Sequence, residues 1–274
     1  MIVNKREAIL GQVVLILMVI FTLAPIATLL SAALAPSNSL PKGIQWPSDP
    51  QWYNFVRAFK VAHVRELLGS SMLIVLGTVP VSLVIATLAG YALGNLRIRG
   101  GQFVFLLLVS GLTIPFESVV IPLYYEVTTL GFIDTPLAII LPLIGLFMPF
   151  SVIWMRAHFL GIPRELSEAA QIDGANTFQQ LIRVQLPLAR PALTALGILL
   201  FIWTWNQFLL ALIMVSDPLK RTMAGALGAF VGQYSLNLPL LFAGALVIMA
   251  PTVVVYVIFQ RQFIKALVAG AVKG

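Results

Sequence analysis

The chain has 274 residues, of which 59% are hydrophobic and 10% charged, with a formal charge of +7 and no cysteine. Soluble domains run about half apolar and about a quarter charged, so a soluble fold could not hide this much apolar surface. The composition also excludes a disulfide framework and thiolate metal ligands, and two histidines, His63 and His158, are too few for a His-rich metal site. The basic residues stand singly or in pairs between long apolar runs, which argues against a nucleic-acid-binding face.

A helix needs about 20 apolar residues to cross a bilayer, because every backbone polar group must find its partner inside the helix. Six stretches meet that requirement, at 9–34, 67–94, 102–125, 136–156, 191–214 and 239–261. The third contains one charge, Glu117, preceded by Pro115, which lacks an N–H and frees a carbonyl. The last follows Asn237-Leu238-Pro239, a break in an uncharged run too long for one helix. The first competes with a secretory signal, since Lys5-Arg6, an apolar run and Ala33-Leu34-Ala35 mimic one. Its apolar run is much longer than the ~7–15 residues of a signal core, which favours an uncleaved helix.

Six spans put both termini on one side. Lys5, Arg6, Arg97, Arg99, Arg156, Arg164, Arg183, Arg190, Arg261, Lys265 and Lys273 share that side, against Lys42, Arg57, Lys60, Arg65, Lys220 and Arg221 on the other. The positive-inside rule therefore predicts cytoplasmic termini.

The loop 156–190 between the fourth and fifth spans is punctuated as a helical hairpin. Pro163 suits a first turn, Glu165 and Glu168 sit near a helix N-terminus, and Gly174 is placed to end the helix in a left-handed cap. Asn176 or Thr177 can cap a second short helix carrying Phe178, Leu181 and Ile182, before Pro187 and Pro191 redirect the chain into the membrane. Ala169 and Ala170 offer a small-residue face for close approach, while Glu168 and Asp173 offer carboxylates to a basic partner.

Glu168-Ala169-Ala170, Gly174 and Leu186-Pro187 stand at the spacing EAA, three residues, G, nine residues, I, one residue, LP, with Val184 in place of the isoleucine. This resembles the signature of permeases of binding-protein-dependent ABC importers. The resemblance implies an all-α, six-span type I importer permease, one membrane domain over 1–274, in a bacterial or archaeal cytoplasmic membrane. It further implies a coupling helix that docks on a separate ATPase, with Glu168 engaging basic residues there and Gly174 allowing the turn. No G-x-x-x-x-G-K-[ST] phosphate loop occurs in the sequence, so ATP and Mg are expected on that other chain and no cofactor on this one.

Three more segments are similar to the shorter permease of the maltose-type, sugar-importing branch. They are Ile114-Pro115-Phe116-Glu117 continuing through Ile121 to Thr135, Trp203-Thr204-Trp205-Asn206-Gln207-Phe208, and Gly270-Ala271-Val272-Lys273-Gly274, the last resembling a tail that contacts the ATPase. Trp203, Trp205 and Asn206 suit a neutral saccharide, with rings stacking on C–H faces and the amide bonding hydroxyls. They equally suit helix contacts and an interhelical hydrogen bond. Glu117 suits a gating role or a satisfied carboxylate near the outer interface. No span interior carries a positive charge, which disfavours anionic cargo such as glycerol phosphate.

The expected assembly has a homologous second permease, two ATPase subunits and an extracytoplasmic sugar-binding protein, the last meeting 36–66 and 217–238. An enzyme or a proton-coupled carrier would need several intramembrane ionisable groups, where Glu117 stands almost alone.

Overall fold

The computed structural model describes residues 5–37, 39, 43, 45–96, 98–225 and 237–271, except the side chains of 5–8 and 262–271. Regular structure among the described residues is entirely helical. Contacts group it into two units, 1–65 with 226–251 and 66–225 with 252–274.

In the first unit, α1 (Lys5–Ala33) is apolar and exposed along almost all of its length, as a helix in lipid or against another chain would be. Its far end is covered by the amphipathic α2 (Tyr53–Val61), whose buried Asn54 donates through Nδ2 to the carbonyls of Ala33 (2.9 Å) and Ala35 (3.0 Å). The start of α11 (Leu238–Ala271) is fixed by Asn237, whose Oδ1 accepts from the Leu240 N–H at 3.1 Å. Asn237-Leu238-Pro239 is therefore a helix start, with the proline in the first turn, where its missing N–H does no harm.

The second unit is built on α3 (Val64–Asn95), α6 (Leu137–Leu160) and α9 (Leu186–Trp205). Ala86, Tyr91, Met155, Phe159, Leu196 and Leu200 form one buried cluster between them. Ile74, Ile139, Leu143, Leu210 and Met214 form another with α5 (Phe116–Thr129) and α10 (Leu209–Met214). Lipid supplies no hydrophobic drive between helices, so close contact depends on small residues. Gly90 and Gly94 provide it, spaced as Gly-x-x-x-Gly on α3. A Cβ at Gly90 would lie 2.7 Å from Met155 Cβ and 2.8 Å from the Arg156 backbone nitrogen, and one at Gly94 would lie 3.3 Å from the Arg156 carbonyl oxygen. Arg156 then locks the crossing, donating through Nε to the Leu93 carbonyl (3.3 Å) while its guanidinium lies 4.0 Å over the Phe105 ring of α4 (Gly101–Gly111).

Among the described residues five helices are long and apolar enough to span, and the count reaches six if the pair α4 and α5, bent by 103°, is one broken span. The stretch expected to cross at 102–125, with a carbonyl freed at Pro115, is thus two half-helices. Pro115 cannot donate, and it takes an extended ψ of 133°. The carbonyls before it are recovered by tight three-residue bonds from Leu112, Thr113 and Ile114, with the Thr113 hydroxyl adding a bond to Ser110.

The expected fifth span also needs correction. It starts earlier, running without interruption from Thr177 to Trp205, and it stops at Asn206 instead of reaching 214. Pro187 and Pro191 do not turn the chain. A π-helical turn, Leu181–Gln185, adds a residue just ahead of Pro187, and the Leu186 N–H bonds back five residues to Leu181. That widened turn accommodates the proline ring without ending the helix.

If the α3–α6 crossing rests on Gly90, Gly90→Leu should destabilise the protein by about 1–3 kcal/mol through overpacking. Thermal unfolding in detergent checks this. Gly69→Ala, where an added Cβ meets nothing within 4 Å, should leave the melting temperature unchanged or slightly raised.

Candidate functional site

The hairpin expected between the fourth and fifth spans is present, and its turn is fully capped. α7 (Arg164–Ile172) is followed by Asp173 as its C-cap and by Gly174 at φ +82°, the left-handed conformation that a Cβ disfavours. Gly174 N–H bonds to the Gln171 carbonyl (3.0 Å) and Ala175 N–H to the Ala170 carbonyl (2.9 Å), the paired bonds of a Schellman motif. Asn176 rather than Thr177 caps α8 (Thr177–Gln180). Its Oδ1 accepts from the Gln179 N–H at 2.9 Å, and Gln179 Oε1 accepts from the Asn176 N–H at 3.0 Å. This reciprocal capping box leaves the turn with few unpaired donors.

Rigidity also comes from below. Buried Gln185, in the π turn, donates through Nε2 to Ser167 Oγ at 2.7 Å and ties α7 to the root of the membrane helix. Glu168, Ala169, Asp173 and Gly174 are exposed, Ala170 is half-buried, and Leu186-Pro187 begins α9 just beyond the π turn. The coupling residues expected from sequence therefore share one stiff element. Glu168 also borders a polar cleft of about 550 Å³ with Tyr91, Asn95, Ser167, Gln171 and Gln180.

Sequence reasoning overlooked the apolar tip. Ile172 is 87% exposed and Phe178 65%, one on each side of the Gly174 turn. Large apolar side chains held out by a capped hairpin are what a docking surface presents. The signal was present in the sequence: Ile172 is a large apolar residue at a helix end, between Gln171 and Asp173.

The second set of expected residues lies apart from the hairpin, on α5 and α9. Glu117 is exposed in the first turn of α5, immediately after the break, where a carboxylate faces the positive end of a helix dipole. Trp203 is partly exposed and its ring contacts Phe147 and Phe150 of α6, with centroids 5.7 and 5.0 Å away. Asn206 is exposed and donates through Nδ2 to the Ile202 carbonyl of its own helix at 2.9 Å. Trp205 is wholly buried and stacked on Phe201, which leaves Trp203, Asn206 and Phe208 as the exposed members of that segment. Lys273 lies outside the described residues.

The segment Gly131-Phe132-Ile133-Asp134-Thr135 gains a structural role. Asp134, at φ +63°, donates its N–H to the Met214 carbonyl and accepts at Oδ1 from the Ser216 N–H, pinning the α5–α6 loop to the strand-like residues after α10. Arg221 Nε donates to the Val215 carbonyl at 2.8 Å, and Ser71 Oγ accepts from the Met223 N–H at 2.7 Å. This end of the second unit is a cross-braced platform.

Apolar spanning helices, a capped hairpin between two of them and a broken helix bearing a carboxylate define a multi-pass membrane protein of the transport-permease class. Residues 85–268 match the family described as the inner membrane component of binding-protein-dependent transport systems, and the chain belongs to that family. It is 34% identical to the arabinooligosaccharides transport system permease protein AraQ of Halalkalibacterium halodurans, over 91% of each chain. It is 33% identical to the trehalose transport system permease protein SugB of Mycobacterium tuberculosis, over 99% of this chain and 100% of that one. Its fold matches, at a TM-score of 0.75 and 24% identity over 95% of this chain and 98% of the other, a chain of a bacterial ABC transporter involved in the import of the acidic polysaccharide alginate.

Gly174→Val should strain the turn by about 1–2 kcal/mol, and Gly174→Asn by less, because asparagine visits the left-handed region more easily. Asn176→Ala should remove about 1 kcal/mol of capping. Amide hydrogen exchange over 164–185 should speed up in the order Gly174→Val, Asn176→Ala, Gly174→Asn.

Proposed function

We propose that this chain is one of two permease subunits of an ATP-driven, binding-protein-dependent importer of neutral saccharides. The α7–α8 hairpin is the lever through which a separate ATPase drives it. The observation that carries the sugar class is the full-length likeness to permeases named for arabinooligosaccharide and trehalose transport. The observation that supports the lever is mechanical: the hairpin continues into α9 with no loop between them, so a push on its tip moves a spanning helix as a rigid body.

In this reading Glu168 and Asp173 engage basic residues of the ATPase, Ile172 and Phe178 fill apolar sockets beside them, and Ala169 and Ala170 let the two surfaces close. Leu186 and Pro187 carry the motion into the membrane. ATP and Mg reside on the ATPase pair, and this chain performs no covalent chemistry. Its termini and hairpin are cytoplasmic, with Lys273 in a tail that reaches the ATPase. Glu117, Trp203 and Asn206 face the pathway shared with the second permease. ATP binding shifts the balance between inward- and outward-open states, and the cargo crosses unchanged.

Reconstituted vesicles test this. Uptake of a labelled neutral oligosaccharide should require ATP, the ATPase, the second permease and the binding protein together. Glu168→Lys or Phe178→Asp should lower coupled uptake about 10-fold or more, as loss of a hot-spot contact worth about 2 kcal/mol would, while the chain still inserts. Uptake by this chain alone, or normal transport by both variants, overturns the assignment. Uptake of glycerol phosphate in preference to sugars overturns the cargo class.

A further inference from the structure

The face of α2 turned away from α1 has no role in the transport reading. At about 100° per residue, Trp52, Phe55, Val56 and Phe59 fall within one arc of about 100° on this helix. Trp52, Val56 and Phe59 are exposed at 60%, 46% and 46%. Asn54 and Ala58 form the buried arc on one side of it. Lys60, Tyr53 and Arg57, all exposed, form the arc on the other side. Arg57 donates to Ser37 Oγ at 3.2 Å, which leaves most of its guanidinium donors open.

The depth of this helix is set by what holds it. Asn54 grips the carbonyls of Ala33 and Ala35, the Gln51 N–H bonds to the Leu34 carbonyl at 2.8 Å, and Ser31 Oγ bonds to the Gln45 carbonyl beside the exposed Trp46. All these groups lie in the last turn of α1 or just past it, where the hydrocarbon core gives way to headgroups. These bonds hold the aromatic arc of α2 at the level where α1 ends. An aromatic arc at that level, beside a basic one, has the chemistry of the bilayer interface: rings at the acyl boundary, cations at phosphates.

We propose that α2 is an interfacial helix. Its Trp52, Phe55, Val56 and Phe59 side lies in the acyl–headgroup boundary at the end of α1, with Lys60 and Arg57 turned to anionic lipid phosphates. This withdraws α2 from the surface that 36–66 was expected to offer a binding protein, and leaves 217–222 with its braced platform for that contact. The helix would fix how far α1 can slide along the membrane normal.

The absence of native cysteine allows single-cysteine spin labels at positions 56, 57, 59 and 60 without a prior knockout. The labelled chain is reconstituted with the other subunits of its transport system in liposomes of phosphatidylethanolamine and phosphatidylglycerol. Labels at 56 and 59 should show an oxygen-to-nickel-complex collision ratio several-fold above those at 57 and 60. Equal ratios with high nickel contact at all four sites would place the face in water, and exclusion of both reagents at 56 and 59 would place it under another protein. Either result overturns the proposal.

An unlabelled control avoids cysteine variants. The fluorescence difference between the parent and Trp52→Phe should be quenched by lipids brominated near the headgroup and spared by acrylamide. The reverse pattern also overturns the proposal. Exchanging phosphatidylglycerol for phosphatidylcholine should lower the ratio at 56 and 59, and no change would overturn the role given to Lys60 and Arg57.

Discussion

Inside hydrocarbon a backbone N–H or C=O has no water to turn to, so every departure from a continuous helix must bring its own replacement partners. Most of the architecture described above follows from this constraint. Spans α1, α3, α6 and α11 meet it as continuous helices, apart from the carbonyls that Pro25, Pro80, Pro142, Pro149 and Pro251 leave without an in-helix donor. The places that do interrupt it are few, and each is repaired locally. At 112–115 the repair is three tight turn bonds and the Thr113 hydroxyl. At 206–208 it is the Asn206 amide on Ile202 and Gln207 Oε1 accepting from the Leu210 N–H at 3.2 Å. Ahead of Pro187 it is the wide turn at 181–185.

These repairs fall where a transporter needs something other than a rod. The break before α5 puts a carboxylate at a helix start within the membrane segment. The end of α9 exposes Asn206 and part of Trp203. The widened turn lies between the hairpin and the membrane helix and lets one helix continue through two prolines. Around them the packing is stiff: Gly90 and Gly94 bring α3 and α6 into backbone contact, and Arg156 clamps α3, α4 and α6 together. Rigid bodies joined at a few capped discontinuities can move as levers, whereas a uniformly flexible bundle would dissipate the motion.

Much of the molecule was legible because hydropathy and helix punctuation are local. The spans appear where apolar runs exceed the bilayer thickness, Gly174 adopts the left-handed cap its position implies, and Asn237 with Pro239 starts a helix. The misjudgements share a cause. Pro115 reads in sequence as freeing one carbonyl where the structure has a 103° break, and Pro187 as redirecting the chain where the helix continues. A proline's effect depends on whether the preceding turn can tighten or widen, which depends on neighbours in space. Tertiary burial was equally hidden: Trp203 and Trp205 are two residues apart, so they point to different sides of one helix, and only one keeps any surface. Asp134 lay within a segment picked out by resemblance, but its partner Ser216 is 82 residues away.

The wide turn ahead of α9 carries one surplus residue relative to regular α-helix, and a residue in a helix is worth about 100° of rotation. That single amino acid sets the compass bearing of the hairpin: it fixes which flank of α7 faces outward without altering any residue on α7 itself. A lineage that lost or gained one position between 181 and 185 would keep every side chain of α7 and yet turn a different flank of it outward. Insertions here should therefore be far rarer than substitutions.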